Sequence, residues 1–126
     1  MSALAAWTAG AVAAEKPAQD YKACRDAAVS TMAMQVCADV ELKCRNAELN
    51  NAYRELTGRM RTPVQQTSLV KAERVWIAFR DAECQAREAD YAGGTVASIV
   101  AGDCLIEPTQ ARTTALRARI EAGCDR

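Results

Sequence analysis

Six cysteines in 126 residues, with no histidine anywhere, limit this chain more than any other feature. Cysteines in such number serve either a metal or a set of cross-links. A structural zinc site wants paired Cys-x-x-Cys or Cys/His spacing, and none of Cys24, Cys37, Cys44, Cys84, Cys104 and Cys124 stands in such a pair. An even count is the mark of a disulfide framework when the chain is exported. The N-terminus supplies that condition. Residues 2–14 are apolar and mostly small, carry no charge, and end at Glu15-Lys16-Pro17. Ala11-Val12-Ala13 and Val12-Ala13-Ala14 both suit signal peptidase. We expect 1–14 to be a signal peptide, 15–30 a lead-in segment and 31–126 a helical domain. No Lys or Arg precedes the apolar run, which points to a start further upstream; an Ala-rich first helix is the rival reading. The run has about 13 residues where a membrane span needs about 20. Tyr21-Lys22-Ala23 makes a poor lipobox before Cys24.

Length allows one domain. Half the residues are apolar, but with two Trp, three Tyr and one Phe the core is thin, and a thin core gains from staples. Sixteen basic residues balance sixteen acidic ones. That balance argues against nucleic acid as a partner, since phosphate binding needs a surplus of Lys and Arg, and it gives no polybasic anchor for an anionic membrane.

Apolar residues recur at helical spacing, and alternation is absent. After Ser30 or Thr31, suited to capping, a long helix is predicted over about 32–61. Its stripe carries Val40, Cys44 and Ala47, with Leu42, Leu49, Tyr53, Leu56 and Met60 beside it. Thr62-Pro63 restarts the pattern, Pro being favoured at a first helical position. The second long helix should cover about 63–91, facing Leu69, Ala72, Val75, Trp76, Phe79, Ala82, Ala86 and Ala89 inward. Gly93-Gly94 stops it. A short helix over about 95–101 and a last helix from Glu107 or Thr109, with Ala115, Leu116, Ala118 and Ile120 inward, complete an all-α, up-down bundle built on a long antiparallel pair.

Helix geometry then sorts the cysteines. Cys37 and Cys44 on one helix lie about 10 Å apart along its axis, whereas a disulfide needs Cα atoms within about 7 Å. Of fifteen connectivities about twelve survive. The Gly-Gly return makes Cys84 with Cys104 the easiest closure. Cys24 can fold back on Cys37, which leaves Cys44 for Cys124.

Catalytic groups are scarce. There is no His to act as a base near neutral pH, and no Ser in a nucleophile elbow. Asp39, Glu41, Glu48, Asp81, Glu83, Glu88 and Asp90 read as solvated faces of helices. No cofactor or metal is implied. Trp76 and Phe79 read as core aromatics, and Arg80 with Asp81 as a tie between helices. The turn Gly93-Gly94-Thr95 is a candidate partner contact, since a loop beside a staple is held rigid.

As a set, these residues resemble a known family. Cys24, Met34-Gln35-Val36-Cys37-Ala38 and Glu48-Leu49-Asn50-Asn51-Ala52-Tyr53 are similar to the first half of the LprI-type lysozyme-inhibitor N-terminal domain. Trp76-Ile77-Ala78-Phe79-Arg80-Asp81-Ala82-Glu83-Cys84, Tyr91-Ala92-Gly93-Gly94-Thr95, Cys104 and Arg112 resemble the second half. The match covers about 90 residues, and its WxxFRDxxC stretch followed by Gly-Gly and Cys is its specific part. The resemblance implies a helical, disulfide-bonded, non-enzymatic protein of the bacterial envelope, with lysozyme or another cell-wall hydrolase as partner. The family pattern uses four cysteines, matching Cys24, Cys37, Cys84 and Cys104; Cys44 and Cys124 are additions. Pro108 stands where the pattern has Leu, which would shift the start of the last helix, and Glu73 stands where it has Gln. Gly93, Gly94, Thr95, Arg80 and Arg87 are the candidate contacts to the acidic cleft of a muramidase. A structural or stress-related envelope protein is the alternative.

Overall fold

The computed structural model describes residues 17–122, with side chains from Asp20 onward. The expected signal peptide over 1–14 and the cysteine at 124 lie outside the described residues. Four helices follow one another: α1 (Pro17–Ala27), α2 (Thr31–Arg59), α3 (Pro63–Ala89) and α4 (Val96–Ala122). The fold is an all-α, disulfide-stapled bundle.

Local chemistry sets the helix starts. Ser30 caps α2, its hydroxyl accepting from the Ala33 amide at 3.1 Å. At α3 a capping box forms: the Gln65 amide donates to Thr62 Oγ1 and the Thr62 amide donates to Gln65 Oε1, with Pro63 at the first position. Such caps contribute about 1 kcal/mol each. Gly93, at φ +87°, carries the chain through the turn between α3 and α4.

Packing differs from the order of the chain. The most extensive interface is between α2 and α4, followed by α3 with α4 and α1 with α2. Gly102 lies against Ala38 and Arg117 reaches Glu55, so α2 and α4 run parallel. Cys84 bonds Cys104 and Glu73 accepts from Arg112, so α3 and α4 are the close antiparallel pair. The expected antiparallel pair of consecutive long helices, α2 and α3, is corrected: each packs more extensively on α4 than on the other.

The single α4 corrects the expectation of two helices broken near Gly102 and Pro108. Gly102 is a contact point and not a stop: a Cβ added there would come within 3.3 Å of the Ala38 Cβ, so glycine lets two helices approach. Pro108 sits inside α4, costing about 3 kcal/mol in a free helix. Here Ile106 and Thr109 on either side are buried, and the Thr109 hydroxyl donates to the Leu105 carbonyl at 2.7 Å. Tertiary packing outweighs the local penalty.

One end of the bundle holds the apolar core, Leu49, Ala52, Leu56, Leu69, Leu116 and Ile120, with Tyr53, Met60 and Trp76 partly buried against it. The other end is narrow and stapled. Cys24–Cys37 fastens α1 to α2, and Cys84–Cys104 fastens α3 to α4. Each contributes about 3 kcal/mol by restricting the unfolded chain. Both are the pairs expected from spacing. Cys44 makes no disulfide among the described residues.

Helix facing was predicted well only at the core end. Leu49 and Leu56 are buried, but in the first half of α2 the inward residues are Cys37, Ala38, Glu41 and Arg45, while Val40 and Ala47 face solvent. On α4, Leu116 and Ile120 are buried and Ala115 and Ala118 are not. On α3 the buried set is Leu69, Glu73 and Cys84; Ala72, Val75, Phe79, Ala82, Ala86 and Ala89 are exposed.

Candidate functional site

The signature segment on α3 is spent on holding helices together. Two guanidinium groups lie over Trp76, that of Arg80 at 5.4 Å and that of Arg112 at 5.7 Å from a ring centroid. Cation–π stacking of this kind contributes about 0.5–2 kcal/mol per pair, most when desolvated. Arg80 reaches across the bundle: Nη1 donates to Asn46 Oδ1 of α2 at 3.3 Å and to Thr109 Oγ1 of α4 at 3.1 Å. Its Nε donates to Asp81 Oδ1 at 3.0 Å. The side chain is 11% exposed. Arg112 Nε donates to Glu73 Oε1 at 2.9 Å, and Glu73 is buried. Arg80 thus ties α3 to α2 and α4, whereas Asp81 pairs with Arg80 on its own helix. Phe79 is not a core aromatic, at 64% exposed, and Trp76 is only partly buried.

A second polar layer was not anticipated. Glu41, expected on a solvated face, is buried on α2 and forms an ion pair at 3.0 Å with the buried Arg45, which also donates to Glu48 at 2.6 Å. The signal was present as an i, i+4 and i, i+3 arrangement of opposite charges, but such pairs are usually exposed. A third tie joins α1 to α4: Tyr21 and Arg25 both donate to Asp103. Burial, then the Asp103 carboxylate, raises the Tyr21 phenol above its ordinary range. The hydrogen bond to Asp103 likewise raises Arg25. The lead-in segment is thus a packed helix. Burial also raises the Cys44 thiol, with Glu48 and Glu41 adding to it and Arg45 opposing.

What remains for a partner lies around the α3–α4 turn. A groove of about 550 Å³ runs between these helices, lined among others by Trp76, Phe79, Glu83, Arg87, Glu107 and Pro108. Arg87 is exposed there, and Gly93, Gly94 and Thr95 are exposed in the turn above it. The Cys84–Cys104 bridge joins the two helices that carry this turn. Arg80 lines the same groove, but its donors are committed inside the bundle. No group of side chains suited to holding a metal ion occurs among the described residues. No helix there is long and apolar enough to cross a membrane.

A cross-linked helical scaffold whose signature residues knit helices together, leaving a turn and a groove exposed, is the class of protein these features define. The family described as lysozyme inhibitor LprI matches residues 24–116, which span both disulfides and the whole signature. This chain belongs to that family. It is 32% identical over 121 residues to an uncharacterized protein, R02472, of Rhizobium meliloti (strain 1021), covering 86% of this chain and 84% of that one. No solved structure matches it.

Proposed function

We propose that the protein is an exported, non-catalytic binding protein that inhibits lysozyme-type muramidases by occluding the active-site cleft. The observation that carries this reading is the match to the lysozyme-inhibitor family over residues 24–116, where the signature side chains do structural work. Two disulfides fit an oxidising compartment, and so support a periplasmic or secreted location after removal of residues 1–14. The contact surface proposed is Gly93, Gly94 and Thr95 with Arg87. A muramidase cleft carries paired carboxylates, to which an exposed guanidinium is attracted, and a stapled turn loses little entropy on docking. Arg80 is left out of that surface because its guanidinium already serves Asn46, Thr109 and Asp81.

The test is an inhibition titration with the purified, oxidised protein against a lysozyme acting on cell walls. Loss of activity at micromolar protein is the expected result; full activity throughout refutes the reading. The alternative, a structural or stress-related envelope protein without lysozyme binding, is favoured by one observation: α3 turns an apolar face to solvent.

A further inference from the structure

Helix α1 is attached to the bundle differently from the others. It has 11 residues, and a helix of that length is marginal in water by itself. None of its side chains from Asp20 to Ala27 is buried, and none belongs to the apolar core at the other end of the bundle. Its extensive packing is on α2 alone. Two attachments hold it. One is the Cys24–Cys37 disulfide. The other is made by Tyr21 and Arg25, its half-buried residues, which both donate to Asp103 of α4. The two bridges of the fold differ in access. Cys24 is exposed, although its partner Cys37 is buried. In the other bridge Cys84 is buried and Cys104 half-buried, between helices that also share the Glu73–Arg112 pair. Thiol–disulfide exchange depends on which sulfur can be reached, so it meets Cys24 first. Asp103 makes the attachment consequential. Among the described residues its carboxylate accepts only from Tyr21 and Arg25, and Asp103 also lines the α3–α4 groove with Glu83, Arg87 and Glu107.

We propose that Cys24–Cys37 is a reducible latch: an exported dithiol reductant opens it at Cys24, α1 leaves α2, and Asp103 becomes an unpaired carboxylate in the groove. A thiolate of the reductant attacks Cys24 Sγ. The bond to Cys37 Sγ breaks, and Cys37 departs as a thiolate that takes up a proton. The second thiol of the reductant then displaces Cys24, so the reductant leaves as a disulfide and the protein holds two thiols. Without the covalent link, the contacts at Asp103 must hold the 11 residues of α1 against their chain entropy. α1 therefore opens as a local unit, while the rest of the bundle keeps its core and its second bridge. The groove then carries Glu83, Asp103 and Glu107 against Arg87, since Arg80 is paired with Asp81. The functional consequence rests on the muramidase reading: added negative charge opposes docking to a carboxylate-lined cleft, so the reduced form is the weaker inhibitor.

Treatment of the folded, oxidised protein with dithiothreitol, with thiols trapped by alkylation and located by peptide mapping, tests the order of opening. Cys24 and Cys37 should be alkylated at least about tenfold faster than Cys84 and Cys104; the reverse order or simultaneous opening overturns the proposal. Amide hydrogen exchange of Cys24→Ser/Cys37→Ser reads the release. Protection should vanish in α1 and persist in α2, α3 and α4, and the Tyr21 phenol should titrate as a free tyrosine does. Protection of α1 that survives in this variant overturns the proposal, as does its loss throughout the bundle. In lysozyme inhibition the variant should need at least about threefold more protein than the oxidised chain, and adding Asp103→Asn should restore potency. Equal potency of the variant, or no recovery with Asp103→Asn, overturns the unmasking step. An oxidised protein without inhibition refutes the muramidase reading alone, and the latch then stands or falls on alkylation and exchange.

Discussion

Removing the Arg80 guanidinium is the sharpest test of the scaffold reading. In Arg80→Ala, α3 loses its hydrogen bonds to Asn46 on α2 and Thr109 on α4. Bonds from a charged donor contribute about 1.5–3 kcal/mol, and at 3.1 and 3.3 Å this pair belongs near the lower bound. The stack on Trp76 adds about 0.5–1 kcal/mol. The Asp81 pair adds less than about 1 kcal/mol, since Asp81 is 44% exposed and solvent screens it. Thr109 keeps its bond to the Leu105 carbonyl, so no buried donor is orphaned. The sum is about 3 kcal/mol, which for a domain of this size lowers Tm by roughly 10 °C. Arg80→Lys should recover less than half, because a point ammonium cannot fork to Asn46, Thr109 and the indole face together. Urea unfolding of the oxidised protein, followed by circular dichroism, measures both. A loss under about 1 kcal/mol, or full rescue by Lys, refutes the argument. So does a variant of unchanged stability that no longer inhibits lysozyme, because that outcome would make Arg80 a partner contact.

Leu116→Ala, at the centre of the apolar end, should cost about 3–5 kcal/mol in the same urea experiment; a cost below 1 kcal/mol would mean that the stapled end carries the fold alone. Tyr21 should titrate above free tyrosine when absorbance is followed with pH, the raised group vanishing in Tyr21→Phe. Because the folded phenol holds its proton more tightly than the unfolded one, its stabilisation is complete below the ordinary tyrosine pKa of about 10 and is lost as pH climbs through the higher folded value. Cys44 should react with iodoacetamide at pH 8 more slowly than a free, exposed thiol, since its burial disfavours the thiolate. Peptide mapping without reduction should recover Cys24–Cys37 and Cys84–Cys104 but no bridge from Cys44 to Cys124 within one chain. The parallel course of α4 leaves Ala122 about 24 Å along the axis from Cys44 at 1.5 Å per residue, and two more residues reach about 7 Å.

Much of the architecture was legible in the residues themselves. Ser30, Thr62, Pro63 and Gly93 mark helix ends through hydrogen bonds and φ preferences that act within a few residues, so no tertiary information is needed to read them. The helical period told class, and the return after Gly93-Gly94 told that Cys84 meets Cys104. Arg80 reads two ways in the sequence, as a tie between helices and as a contact to a partner, and its bonds to Asn46 and Thr109 are what favour the tie.

Facing was not legible where polar residues point inward. A hydropathy stripe assumes that burial follows apolarity, and in the middle of this bundle it does not. Glu41 with Arg45 and Glu73 with Arg112 satisfy one another's charge only when neighbouring turns or helices bring them together. For Glu41 and Arg45 the spacing of four is local but carries no sign of burial; for Glu73 and Arg112 the contact joins residues 39 apart in sequence, which no local pattern contains. The same holds for α4: Gly102 and Pro108 are breakers by local preference, and only the approach of Ala38 and the burial of Ile106 and Thr109 turn them into parts of one helix. The cysteine count by itself determined that this would be a cross-linked chain, and spacing determined two of its bridges. Where Cys44 stands relative to the last turn of α4 was decided by tertiary structure, through the parallel packing of α4 on α2.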